Sequence, residues 1–198
     1  AATELKRIAI VDAARAVFER EGLDGASLRA IAAEAGYTPA ALYFHFDSKE
    51  ALYAEVLGQS LAALTAFVEA EVGKAQAPPQ RFRAAALAFF DFYAENPRDL
   101  DLGFYLFRGG MRPHGLGRER DRTLNEALEA SLAPIREAAR ELGANPELAD
   151  LIMADAFAHA SGVLLLAHTR RIRMFGTPPR TLMERHVETE LDRLQRGV

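Results

Sequence analysis

The chain has 198 residues, the length of one domain or of one domain with a small companion module, and long enough to bury a substantial core. Hydrophobic residues make up 49% and charged ones 26%, with no cysteine, which excludes disordered chains, disulfide scaffolds, thiolate zinc sites and thiol nucleophiles. The net charge is −4, from 24 basic and 28 acidic side chains, so the strongly basic footprint that usually accompanies nucleic-acid binding is absent.

Glu4, Lys6, Arg7 and Asp12 interrupt the opening segment, which therefore does not read as a signal peptide. Ile10, Ala13, Ala14, Val17 and Phe18 fall on one face of a first helix, which Gly22 is expected to stop as a left-handed residue. Ser27 can cap a short second helix with Leu28, Ile31 and Ala32 inward, ending at Gly36. Thr38-Pro39 is a start signal for a short third helix, a capping hydroxyl followed by proline at the first helical position. Asp47 or Ser48 then caps a long helix to about Lys74.

Gln76-Ala-Pro-Pro79 makes the clearest break. Helices are expected near 79–95, 98–108, 118–142, 145–170 and 179–196, the 118–142 helix carrying Pro134 as a kink. No strand-like alternation survives, so the expected fold class is all-α with about nine helices. The longest apolar run, around 161–167, stops at His168 and falls short of the ~20 residues of a membrane span.

The most informative stretch is SLRAIAAEAGYTPAALYFHFDSK, residues 27–49. Two short helices meet at Ala35-Gly-Tyr-Thr38, the glycine turn of a helix-turn-helix. In that motif the second helix enters the major groove with its N-terminal residues facing base edges. Those residues are Thr38, Pro39, Ala40 and Ala41, small enough for the backbone to approach the groove floor and to touch thymine methyls.

The segments AARAVFEREG, SLRAIAAEAGYTPAALYFHF and SKEAL together resemble the DNA-binding module of the tetracycline-repressor (TetR) family of bacterial regulators. LYFHF followed by SKEAL is the most specific part. The likeness covers roughly residues 5–58; the remainder matches only in length and helical architecture. It implies an N-terminal helix-turn-helix module over 1–48 and an effector-binding and dimerisation domain over 49–198, with helix 49–74 linking them.

By matched position the resemblance implies that Arg29 reaches a base or phosphate, that Pro39, Ala40 and Ala41 face bases, and that Tyr43 contacts phosphate or base. Ser27, Thr38, His45 and Lys49 would bind phosphates. Plainer readings stand beside these: Ser27 and Thr38 as caps, His45 as packing between helices, and Leu42, Phe44 and Phe46 as core. Residues 1–50 hold six basic and eight acidic side chains, and Asp47 has the wrong sign for a phosphate-facing loop. Counterion release from Lys6, Arg7, Arg29 and Lys49 should therefore be modest. Without long polar side chains at the start of the third helix, discrimination is expected to lean on Arg29, methyl contacts and DNA shape.

The second module reads as a receptor for a mainly apolar or aromatic molecule. Its expected lining is Phe89, Phe92, Tyr93, Phe104, Tyr105, Phe107, Leu128, Leu132 and Phe157, against the plainer reading of an ordinary aromatic core. On the 145–170 helix, Ala154, Ala158, Ser161 and Gly162 form a small-residue stripe flanked by Leu165. Leu182, Val187, Leu191 and Leu194 form an apolar stripe on the last helix. The resemblance implies a homodimer through these two helices, so that two recognition helices read half-sites about 34–36 Å apart.

The five histidines form no metal-ligand motif, and neither a nucleophile elbow nor a phosphate-cradling glycine loop is present. No enzyme, cofactor, metal or membrane association is expected. The reading is a cytoplasmic regulator, a repressor released from operator DNA by a small molecule. The alternative is a helical small-molecule-binding protein or enzyme whose helix-turn-helix is vestigial, supported by the acidic net charge.

Overall fold

The computed structural model describes residues 2–104 and 115–197. Among the described residues the fold is all helical. The helices are α1 (Ala2–Gly25), α2 (Leu28–Glu34), α3 (Pro39–Tyr43), α4 (Lys49–Gly73), α5 (Pro78–Glu95), α6 (Pro97–Gly103), α7 (Arg118–Glu141), α8 (Pro146–His168) and α9 (Pro179–Arg196).

Several start and stop signals hold; α6 is described only to Gly103, and residues 105–108 of the expected 98–108 helix lie outside the described residues. Gly22 has φ 71° and breaks α1, as a residue without Cβ can at no steric cost. Asn145 accepts a hydrogen bond from the Leu148 N–H, with Pro146 at the first position of α8. α7 runs on through Pro134, which cannot donate to the preceding turn. A 3-10 turn over Arg171–Phe175 has no counterpart among the expected elements; Arg170 and Gly176 flank it, both left-handed.

α4 and α8 are each long and apolar enough to cross a membrane by length and composition, with mean hydropathy 1.4 and 1.5.

The chain folds as two compact units, residues 1–61 with 98–127, and residues 62–97 with 128–198. In the first, Ile10, Ala14, Val17 and Phe18 of α1 are buried with Ile31, Leu42, Leu52 and Val56. Phe18 meets Tyr53 edge-on at 4.8 Å, and the Tyr53 hydroxyl donates to the Leu102 carbonyl at 2.8 Å. α6 is further tied by Asp99, which accepts from Arg15 at 3.2 Å and from the Ser60 hydroxyl. In the second unit α5, α8 and α9 pack together. Two forked arginine–carboxylate pairs join α5 to α9, Arg83 with Glu188 (2.6 and 2.9 Å) and Arg180 with Asp91 (2.9 and 3.1 Å).

Candidate nucleic-acid interface

α2 and α3 are too short to persist by propensity alone, so caps and one or two buried side chains each must position them. The Ser27 hydroxyl accepts from the Ala30 N–H at 3.1 Å, and the Thr38 hydroxyl accepts from the Ala41 N–H at 3.3 Å. Each hydroxyl keeps its own hydrogen for donation, so capping and phosphate contact are compatible. Between them Gly36 takes φ 72°, which turns the chain while the Tyr37 N–H reaches back to the Ala32 carbonyl at 2.9 Å. Leu42, fully buried, anchors α3 to the core.

That anchoring decides what α3 presents outward. Thr38, Pro39 and Ala40 are exposed and Ala41 is half-buried. Tyr43 is 58% exposed and Phe44 81% exposed. Of the three residues expected in the core here, Leu42 and Phe46 are buried and Phe44 is not. Its ring instead stands edge-on to His45 at 5.3 Å, because Phe44, still right-handed helical, lies two residues past buried Leu42 on the opposite side of the turn, whereas Phe46, four residues past it, shares the buried side. The exposed edge of α3 is therefore small-residue backbone followed by two aromatic rings, with His45 half-buried beside them.

The cations divide by what already holds them. Arg29 and Lys6 are exposed. Arg7 pairs with Glu55 at 2.8 Å and lies over the Phe46 ring at 5.6 Å. Lys49 donates to the Leu23 carbonyl at 2.8 Å and to the Ala26 carbonyl at 3.4 Å, so two of its three donors hold the junction of α1 and α2. A further cation, which periodicity could not have found, comes from α7. Arg120 lies 3.4 Å from Asp47 across 73 residues of sequence.

In the second unit, Phe89, Phe92, Tyr93 and Leu132 are buried, while Leu128 and Phe157 are half-buried. Phe89 meets Tyr93 at 5.3 Å and Phe157 at 5.9 Å, and Phe92 meets Tyr93 at 5.3 Å. Phe67 of α4, not among the expected residues, joins at 5.8 Å from Phe92. Phe104 belongs to the first unit, and Tyr105 and Phe107 lie outside the described residues. On α8 and α9, His159 and His186 stack, and the His186 Nε2 has no hydrogen-bond partner. Burial first, and then the His159 ring, push the His186 imidazole below its ordinary pKa.

The two stripes expected at a subunit interface differ in exposure. On α8, Ala154, Ala158 and Gly162 are exposed, Ser161 is half-buried, and Leu165 is 50% exposed. Leu148 and Leu151 extend this open apolar face toward the helix start. On α9, Val187, Leu191 and Leu194 are buried within the single chain and Leu182 is half-buried, so that stripe is already covered. Outward α9 presents Arg185, Glu188, Thr189, Asp192 and Arg193.

Residues 10–56 match the family described as bacterial regulatory proteins, tetR family. Over 99 residues the chain is 35% identical to the HTH-type transcriptional activator FasR of Mycolicibacterium smegmatis, a match spanning 50% of this chain and 45% of that protein. The chain thus spans about half the length of that curated relative. Among solved structures, the transcriptional regulator FadR of Bacillus subtilis, in complex with stearoyl-CoA, superposes with a TM-score of 0.70 at 16% identity, over 97% of this chain and 99% of that one. A tetR-family regulatory protein from Rhodococcus RHA1 superposes with a TM-score of 0.66 at 21% identity, over 96% of each chain. At these identities the likeness shows a shared fold, an N-terminal helix-turn-helix followed by a helical domain.

Proposed function

We propose that the chain, whose residues 10–56 match the family described as bacterial regulatory proteins, tetR family, is a cytoplasmic, ligand-responsive transcriptional regulator that releases its operator on binding a small apolar molecule. The observation that carries the proposal is the outward edge of α3. Pro39 and Ala40 stand exposed behind a hydroxyl-capped start, with Tyr43 beyond them, on a helix held by buried Leu42. An α-helix fits the major groove, and side chains this small let its backbone lie close to the base edges. Arg29, His45 and the free hydroxyl hydrogens of Ser27 and Thr38 supply the positioning contacts, and the remaining Lys49 donor adds one more.

The aromatic cluster of Phe67, Phe89, Phe92, Tyr93 and Phe157, with Leu128 and Leu132, supports an apolar effector. B. subtilis FadR, of the same fold, was seen with stearoyl-CoA, which makes a long-chain acyl thioester the first probe to try. The open face of α8 supports a two-fold dimer, since Ala154, Ala158 and Gly162 let a second helix approach closely while Leu151 and Leu165 supply apolar area. Release follows if the effector binds better to the conformer whose recognition helices no longer match the half-site spacing.

The test is a salt-titrated binding assay of the purified chain with the DNA upstream of its own coding region. Specific binding that Tyr43→Ala weakens supports the proposal; affinity no better than for random duplex overturns it. A second reading, activation from the same operator, is favoured by the 35% identical relative being an activator. A transcriptional reporter on that DNA separates the two: output rises on deletion of a repressor and falls on deletion of an activator.

A further inference from the structure

Asp47 is the least favourable residue in the candidate interface. Its side chain is 78% exposed, one residue beyond Phe46 and two from Lys49, on the turn that joins α3 to α4. A bare carboxylate there would repel any phosphate that Tyr43 or His45 approached. The Ser48 hydroxyl, 3.0 Å away, donates to it without cancelling its charge.

The compensating charge arrives from elsewhere in the chain. Arg120, in the first turn of α7, sets Nη2 at 3.4 Å from the Asp47 carboxylate and donates from Nη1 to the Leu116 carbonyl at 3.3 Å. Together with Tyr43, Phe44, His45 and Asp47 it bounds an open cavity of about 420 Å³. The guanidinium is not loosely placed. Leu116 is buried, its N–H donates to Asp121 at 2.9 Å, and Gly117 enters the helix at φ 107°. At Gly115 a Cβ would meet the Asp121 carboxylate, which would have to shift. An arginine held at its root, with N–H groups beyond those two contacts, suits a phosphate as well as a carboxylate.

Resting on the DNA-binding reading above, we propose that Arg120 is a DNA-interface residue supplied by α7: it neutralises Asp47 and adds to the α3–α4 turn a guanidinium phosphate contact from outside the helix-turn-helix.

The experiment measures binding of the full chain to the upstream duplex and to an unrelated duplex across a salt series, for wild type, Arg120→Gln, Asp47→Asn and the double variant. Arg120→Gln should weaken specific binding about tenfold and lower the salt slope by about one. Asp47→Asn should tighten binding severalfold, and in that background Arg120→Gln should cost less than it does alone. Thermal unfolding of each variant checks the fold, and Asp47→Asn, a change on an exposed side chain, keeps the test valid should Arg120→Gln unfold. Wild-type affinity and salt slope in both single variants would overturn the proposal while leaving the regulator reading intact. Wild type that prefers neither duplex overturns both.

Discussion

The imidazole rings of His159 and His186 stack at 4.1 Å between centroids with 10° between their planes, one from α8 and one from α9. His159 Nε2 lies 3.2 Å from the Leu182 carbonyl, whereas His186 Nε2 is buried without a partner. Asp155 and Glu190 favour the charged form of His186, Arg193 opposes it, and burial together with His159 outweighs the carboxylates. The native state therefore prefers a neutral ring.

The sign for stability follows directly. The folded pKa lies below the ordinary histidine value, so the unfolded chain takes up its proton first as pH falls through about 6.5. Stability is complete above that pH and is lost progressively toward the folded pKa. Unfolding midpoints at pH 7.5 and 5.5 should show the loss, about 2–4 °C for each kcal/mol in a chain of this size. His186→Gln should flatten the dependence; an equal drop in that variant would assign the effect to other groups.

Lys49 and Tyr43 separate stability from binding. Lys49→Ala removes the donor shared by the Leu23 and Ala26 carbonyls, and a charged hydrogen bond of this kind is worth about 1.5–3 kcal/mol. It should lower the unfolding midpoint as well as DNA affinity. Tyr43→Ala, at an exposed position, should lower affinity alone. Denaturant titration beside the binding assay checks both, and Lys49→Ala at wild-type stability would refute the clamp.

Gly36 isolates backbone strain. Nothing lies within 4 Å of where its Cβ would stand, so an added methyl group meets no neighbour and the cost is the left-handed φ itself. Gly36→Ala should destabilise by about 1–2 kcal/mol, and Gly36→Asn by less. Chemical denaturation measures the difference directly.

The open face of α8 makes the oligomer testable by charge. Gly162 has open space around it and Leu151 is 65% exposed, so Gly162→Arg or Leu151→Arg should leave the monomer folded. Sedimentation should then report a monomer in place of a dimer. An unchanged association state would move the interface off this face.

Much of this fold is legible in the sequence, and the exceptions share a cause. Thr38-Pro39 and Asn145-Pro146 mark helix starts because the cap and the proline act within one turn. Gly22 and Gly36 mark breaks because their conformations exclude most side chains. Phe44 departs from its expected place in the core because it lies opposite Leu42 on the same helical turn, and the surface packed against that turn, not the local spacing, decides that Leu42 and Phe46 face inward. Val187, Leu191 and Leu194 do form an apolar stripe, yet periodicity names the apolar face of α9 and not the surface that covers it. Arg120 and Asp47 meet across 73 residues, and no local pattern announces such a pair.

The first unit draws Leu52, Tyr53 and Val56 from α4 and Leu100 and Leu102 from α6 into the same core as Phe18. A transplant of the first unit onto another protein would fail if it were cut at the helix-turn-helix. The graft must carry residues through 61 together with the 98–127 segment, or Tyr53 loses the Leu102 carbonyl and Arg15 loses Asp99. Under the proposed DNA-binding role, operator preference would be inherited as two separated stretches of sequence, not as one exchangeable cassette.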